Sequence, residues 1–196
     1  MKNILLYTFM MLFAAVLNSC EMLPLQTDEK YHGTALDPNT GMSCLQFIES
    51  RPDLFTNLRE AIKVCELEAY YTQTSRKLTY LLLTDKAITT SEVELAKTDS
   101  AAKTKLINDL RFHIIQGYYH AYGTLTYDPI FVITCFESPK AIMTIKLETN
   151  ISNSAEEGAI KTMELTGQVV RKCVSSNHFF TNGVGHIFDL KSTYVL

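Results

Sequence analysis

Five histidines, five cysteines and ten tyrosines are the side chains of this 196-residue chain best able to do chemistry. Their spacing builds no familiar reaction centre. There is no G-x-S-x-G elbow for an activated serine and no G-x-x-x-x-G-K-[ST] loop for a phosphate. The H-E-x-x-H pair of zinc proteases and the C-x-x-C couple of redox proteins are missing too. His113 and His120 share a segment, but no acid or thiol stands beside them at ligand spacing, and His32 lies in a separate polar stretch. The residues therefore suggest no metal, no cofactor and no catalytic set. A non-enzymatic binding module is the leading reading, and an envelope hydrolase working through scattered residues is the alternative.

Two groups carry a chemical reading of their own. The first is Cys20. Residues 4–17 form a nearly unbroken apolar run behind Lys2, too short to cross a bilayer comfortably. The run ends in Leu17-Asn18-Ser19-Cys20, which resembles a bacterial lipobox with Cys20 as the first mature residue. This predicts a signal peptide over residues 1–20, palmitate-type acylation of Cys20 and attachment to the membrane through lipid alone. Glu21 stands where an inner-membrane lipoprotein carries aspartate, which points to the outer membrane of a Gram-negative bacterium. Its periplasmic and surface faces are equally open.

The second group is aromatic. Tyr118, Tyr119, His120 and Tyr122 fall within five residues, with Tyr127 close behind. Rings of this kind offer amphipathic contact area at low entropy cost, so they suit a surface that binds protein or glycan. Tyrosines edging a core with their hydroxyls in water fit the same residues. Cys44, Cys65, Cys135 and Cys173 remain after lipidation; export permits disulfides in three pairings, while their apolar neighbours suit free thiols.

Composition narrows the classes. At 46% hydrophobic and 20% charged residues the chain is globular, not disordered. A formal net charge of −3, with no Lys/Arg run, excludes the basic footprint of a nucleic-acid binder.

The elements that must position these residues follow from period and punctuation. Residues 21–42, with Pro24, Gly33, Pro38, Asn39 and Gly41, read as a tether, and residues 43–196 as one domain. Ser43 opens a capping box with Gln46, and Pro52 ends that helix. Leu54, Leu58, Ala61, Ile62 and Cys65 line the next one. Residues 78–83 are apolar on both faces, as a central strand is. Ser91 and Ser100 are candidate caps for two more helices, the second with a face of Leu106, Ile107, Leu110 and Ile114. His113 stands beside that face, either as a hydrogen-bonded core residue or as a ligand contact. Residues 130–136 and 141–148 predict a hairpin with one solvated side, residues 150–158 a surface loop and residues 163–174 further extended chain. In residues 177–189, Asn182-Gly183 predicts a type I′ turn with φ > 0 at both positions. That register pairs Thr181 with Val184 and Phe179 with His186, and sends His178 and His186 to opposite faces.

Three segments together resemble the fasciclin (FAS1) domain family. Thr181-Asn182-Gly183-Val184-Gly185-His186-Ile187-Phe188-Asp189 is similar to the family's second signature. Leu78 through Thr84-Asp85-Lys86-Ala87-Ile88 is similar to its first, and Leu110-Arg111-Phe112-His113-Ile114-Ile115 to its central YH segment, with Phe112 for the tyrosine. The resemblance covers residues 43–196 and implies a single α+β domain, a β-sandwich wedge with packed helices. It makes His113, Asn182, Gly183, His186 and Asp189 motif residues. It also implies adhesion to an extracellular protein or glycan, and draws attention to Tyr118, Tyr119, His120 and Tyr122. Leu83, Ile88 and Gly185 depart from the family pattern and weaken any specific adhesive role.

Overall fold

The computed structural model describes residues 38–138, 141–148, 160–164 and 170–194, all within the unit Asp37–Leu196. The segment read as a signal peptide, Cys20, the stretch read as a tether as far as residue 37 and the stretch 150–158 read as a loop lie outside the described residues.

The first helix, α1 (Cys44–Ser50), opens on the expected capping box. The Ser43 hydroxyl accepts the Gln46 N–H, and the Gln46 side chain accepts the Ser43 N–H. Pro52 starts the next helix, α2 (Pro52–Val64), because a proline at the first position gives up no helical hydrogen bond. α2 buries Phe55, Leu58, Ala61 and Ile62, and it breaks at Phe55 (φ −129°, ψ 27°). The restarted turn is capped from outside: the Asp85 carboxylate accepts the Thr56 and Asn57 N–H groups at 3.3 and 2.8 Å. A short α3 (Glu68–Thr72) leads to the polar stretch before the first strand.

Two later helices, α4 (Thr90–Thr98) and α5 (Ser100–Phe112), start earlier than the serines suggested. Thr89, not Ser91, shares the capping box with Glu92, and Asp99, not Ser100, accepts the Ala101 N–H at 2.8 Å. Each run offers overlapping cap registers, and in α4 the one used turns Val93 and Ala96 into the core. Ile114 leaves the helix altogether. α5 ends at His113, and Ile114 begins a strand.

Among the described residues, eight strands make two four-stranded sheets. The first sheet runs β2 (Ile114–Gln116), β1 (Leu78–Leu83), β8 (Gly183–Phe188), β7 (Ser175–Phe180). All six residues of β1 are buried, as a central strand requires, and β1 is parallel to β8 while the other pairs are antiparallel. The second sheet is antiparallel throughout: β3 (Ile130–Ile133), β4 (Ile142–Leu147), β5 (Ile160–Glu164), β6 (Val170–Lys172). A bridge from Ile115 to Thr134 links the two. β3 and β4 form the expected hairpin, with Met143, Ile145 and Leu147 in the core. The opposite side of β4 is not solvated throughout, since Thr144 and Glu148 are only 6% and 9% exposed. β4 lies between two neighbours, which cover a short side chain, and Glu148 pairs with Lys161.

The turn of the β7–β8 hairpin sits one residue earlier than expected, which moves each pairing by two residues. Phe180 pairs with Gly183, Phe179 with Val184 and His178 with Gly185, leaving Thr181 and Asn182 in the turn. Neither Asn182 nor Gly183 has positive φ, so this is not a type I′ turn. Gly183 is required for a different reason. A Cβ there would lie 2.1 Å from the Leu78 carbonyl oxygen and 2.8 Å from the Tyr80 ring. The segment read as tether also joins the sheet from Pro38 onward. Phe179 N–H donates to Pro38 O, Thr40 N–H to Phe179 O and Thr181 N–H to Met42 O, covering the outer edge of β7.

Candidate functional site: an aromatic loop pinned to the hairpin

The motif residues spend their polar atoms on backbone and on one another. Asn182 is fully buried; its side-chain oxygen accepts the Cys44 N–H at 2.9 Å, and its amide donates to Tyr71 O at 2.8 Å and to the Tyr80 hydroxyl at 2.9 Å. One side chain thus fastens the hairpin turn to α1, α3 and β1. Asp189 accepts from Lys86 at 2.7 Å and from the Thr84 hydroxyl at 2.8 Å, which join the two outer signature segments and hold its carboxyl below the usual range.

The two buried histidines work alike. His113 caps α5: one ring nitrogen, Nδ1, carries the proton and donates to Asp109 O at 2.6 Å, while Nε2 accepts the Ser192 N–H at 2.9 Å. In His186 the tautomer is reversed. Nε2–H donates to Tyr119 O at 2.8 Å, and Nδ1 accepts the Asn177 N–H at 3.2 Å. These pairings need neutral rings, and burial lowers both imidazoles to about 4. Both nitrogens of each ring face backbone, so the ligand-contact reading of His113 has no nitrogen left to use.

His186 leads directly to the aromatic loop, residues 117–125. Gly117, at φ +118°, begins it in a region that side chains avoid. Thr79 on β1 then holds it twice, donating to Gly117 O and accepting the Tyr119 N–H, each at 2.9 Å. His186 holds Tyr119 O. Asn177 Oδ1 accepts the Ala121 N–H at 2.9 Å, and Thr124 closes the turn onto His120 through N–H and carbonyl at 2.6 and 3.0 Å. Asn177 reaches in because β7 slips register between Ser175 and His178, with Asn177 at φ 62°, a conformation asparagine tolerates.

Pinned in this way, the loop gathers four rings. Tyr118 and His120 lie 5.1 Å apart between centroids; Phe179 is 5.5 Å from His120 and 6.2 Å from both Tyr118 and Tyr122. Tyr122 stands furthest out, 71% exposed, and its N–H donates to His120 Nδ1 at 3.2 Å. Tyr119 does not join the patch: its ring packs over Gly117, and its backbone serves as the anchor point. Tyr127 is exposed but outside these ring contacts. Phe179 and Asn177 belong to the site and were not singled out by sequence. Their signal was weak, a Ser175-Ser176-Asn177 run of turn formers interrupting a strand.

On β7, beside Asn177, Ser175 Oγ and His178 Nε2 lie 2.8 Å apart, and among the described residues no three His, Cys, Asp or Glu side chains gather to hold a metal. Cys44, Cys65, Cys135 and Cys173 are free thiols, and burial raises the pKa of each. What the site presents is a fixed aromatic surface with hydroxyl and imidazole edges.

No family model and no curated protein matches the sequence. Among solved structures the chain is similar to a FAS1 domain pair from the insect cell adhesion molecule fasciclin I, at 16% identity and a TM-score of 0.50. The match covers 76% of this chain and 50% of that one, so the chain spans half the length of the solved pair. With five helices beside two four-stranded sheets, the described residues from Pro38 onward have an α+β, FAS1-like fold.

Proposed function

We propose that this chain is a non-enzymatic adhesion or ligand-binding module that takes an extracellular protein or glycan on its aromatic loop. It is acylated at Cys20 and held at the outer membrane of a Gram-negative bacterium, with residues 21–37 as spacer. The observation that carries the reading is the pinning of residues 117–125. Thr79, His186 and Asn177 fix the loop backbone from three strands, so Tyr118, His120, Tyr122 and Phe179 present contact area without an ordering cost at binding. Rigid aromatic anchors of this kind dominate binding energies at protein surfaces. The FAS1-like fold fits the reading, because the solved neighbour is described as a cell adhesion molecule.

The test is binding of the purified chain to glycan and matrix-protein arrays, followed by alanine at Tyr118, Tyr122 and Phe179. For any ligand found, each substitution should weaken binding by about 1–3 kcal/mol while the thermal midpoint moves little for Tyr122. Loss of binding that tracks loss of folding, or turnover of a substrate that survives repurification, would sink the reading.

A further inference from the structure

The second sheet carries a surface that the aromatic loop does not explain. Its inward side, with Val132, Met143, Ile145, Leu147, Ile160 and Thr162, is core. Its outward side divides into two rows set by register. In one, Phe131 pairs with Thr144, and Val170 stands level with them two strands further across; Ile133 and Ile142 pair alongside. Phe131, Ile133 and Val170 are 71%, 58% and 43% exposed. In the other row, Lys146 pairs with Lys161 and Lys161 with Lys172.

Like charges placed directly across a ladder destabilise it, yet three lysines stand in register here. Burial and the flanking Lys172 and Lys146 lower the Lys161 pKa, and Glu148 pairs with this middle lysine. Strand spacing makes the basic row about 10 Å wide and sets it about 7 Å from the apolar row. No stretch of sequence shows this charge, because each lysine comes from a different strand.

We infer that this sheet face docks flat on an anionic phospholipid surface, with Phe131, Ile133 and Val170 entering the headgroup–acyl boundary and Lys146 and Lys172 lying over lipid phosphates, while Lys161 between them stays paired with Glu148. Apolar side chains beside a basic row are what an anionic bilayer surface rewards, through burial of the first and attraction to the second.

The chain has no tryptophan, so Phe131→Trp places a single reporter on this face. The full-length variant is mixed with phosphatidylcholine vesicles and with vesicles containing phosphatidylglycerol, with Tyr122→Trp as the reporter elsewhere. Emission from Phe131→Trp should shift to the blue, and brominated acyl chains should quench it, only when phosphatidylglycerol is present. Adding Lys146→Glu should weaken this response about tenfold, and salt should screen it. Comparing lipids and reporter positions removes any contribution from the apolar residues 4–17. Ile133→Trp replaces Phe131→Trp if the latter does not fold. Unchanged emission, equal quenching of Tyr122→Trp, or a shift with polyglutamate and none with vesicles each overturns the inference.

Discussion

At the scale of single residues, the family-like motif proves to be a set of staples. Its histidines are the clearest case and make stability depend on pH. In an unfolded chain each imidazole titrates near 6.5, whereas His113 and His186 in the fold titrate near 4. Between these values the unfolded state binds the extra protons. Stability is therefore full above pH 6.5 and falls as pH drops towards 4, by roughly 3 kcal/mol for each ring. Urea midpoints at pH 7 and pH 4.5 check this, and His186→Ala should lower stability at pH 7 while flattening its fall. Gly183→Ala should cost about 3 kcal/mol or more, since even a methyl group meets the Leu78 carbonyl; a near-wild-type melting temperature would refute the close approach. Composition and spacing picked out both residues as important. The reason was not legible: Asn-Gly signals a positive-φ turn by local chemistry, but here Asn182 is claimed by Cys44, Tyr71 and Tyr80, partners more than 100 residues away.

Elements were legible where the pattern is local. β1, the Ser43 box and the β3–β4 hairpin follow from runs of a few residues. What lay beyond reach was whatever depends on a distant partner: the bulge that aims Asn177, the strand that claims Ile114 from a helical pattern, and the cap on broken α2. That cap gives an element-level prediction. Asp85→Ala should strip acceptors from Thr56 and Asn57 N–H and cost about 1–2 kcal/mol. Amide exchange should accelerate first at these two positions, with β8 amides little changed. If protection falls equally everywhere, Asp85 is not acting as a cap. The aromatic loop obeys the same logic, since tyrosines near a YH-like helix were visible in sequence, while the three strands that fix them were not.

For the whole molecule, the α+β architecture was readable because the three segments resembling FAS1 signatures are the ones that meet: Thr84 bonds Asp189, β1 pairs with β8, and Ile114 pairs with Tyr80 on the other side of β1. The proposed attachment through Cys20 makes its own prediction. Cys20→Ala should leave the protein unacylated, with a changed mature mass, and shift it out of the membrane fraction; identical fractionation and mass would refute lipidation. The strap along β7 then acquires a mechanical meaning. Pro38 and Thr40 bond to Phe179, the residue whose ring sits among Tyr118, His120 and Tyr122. A tug between a ligand gripping those rings and a hold on the chain ahead of Pro38 crosses that one residue's backbone. The pull runs along paired strands, sharing its strain among several bonds at once, and bypasses the helices. Under the proposed anchoring and ligand binding, a domain held by this strap keeps the shape of its grip while it is being pulled.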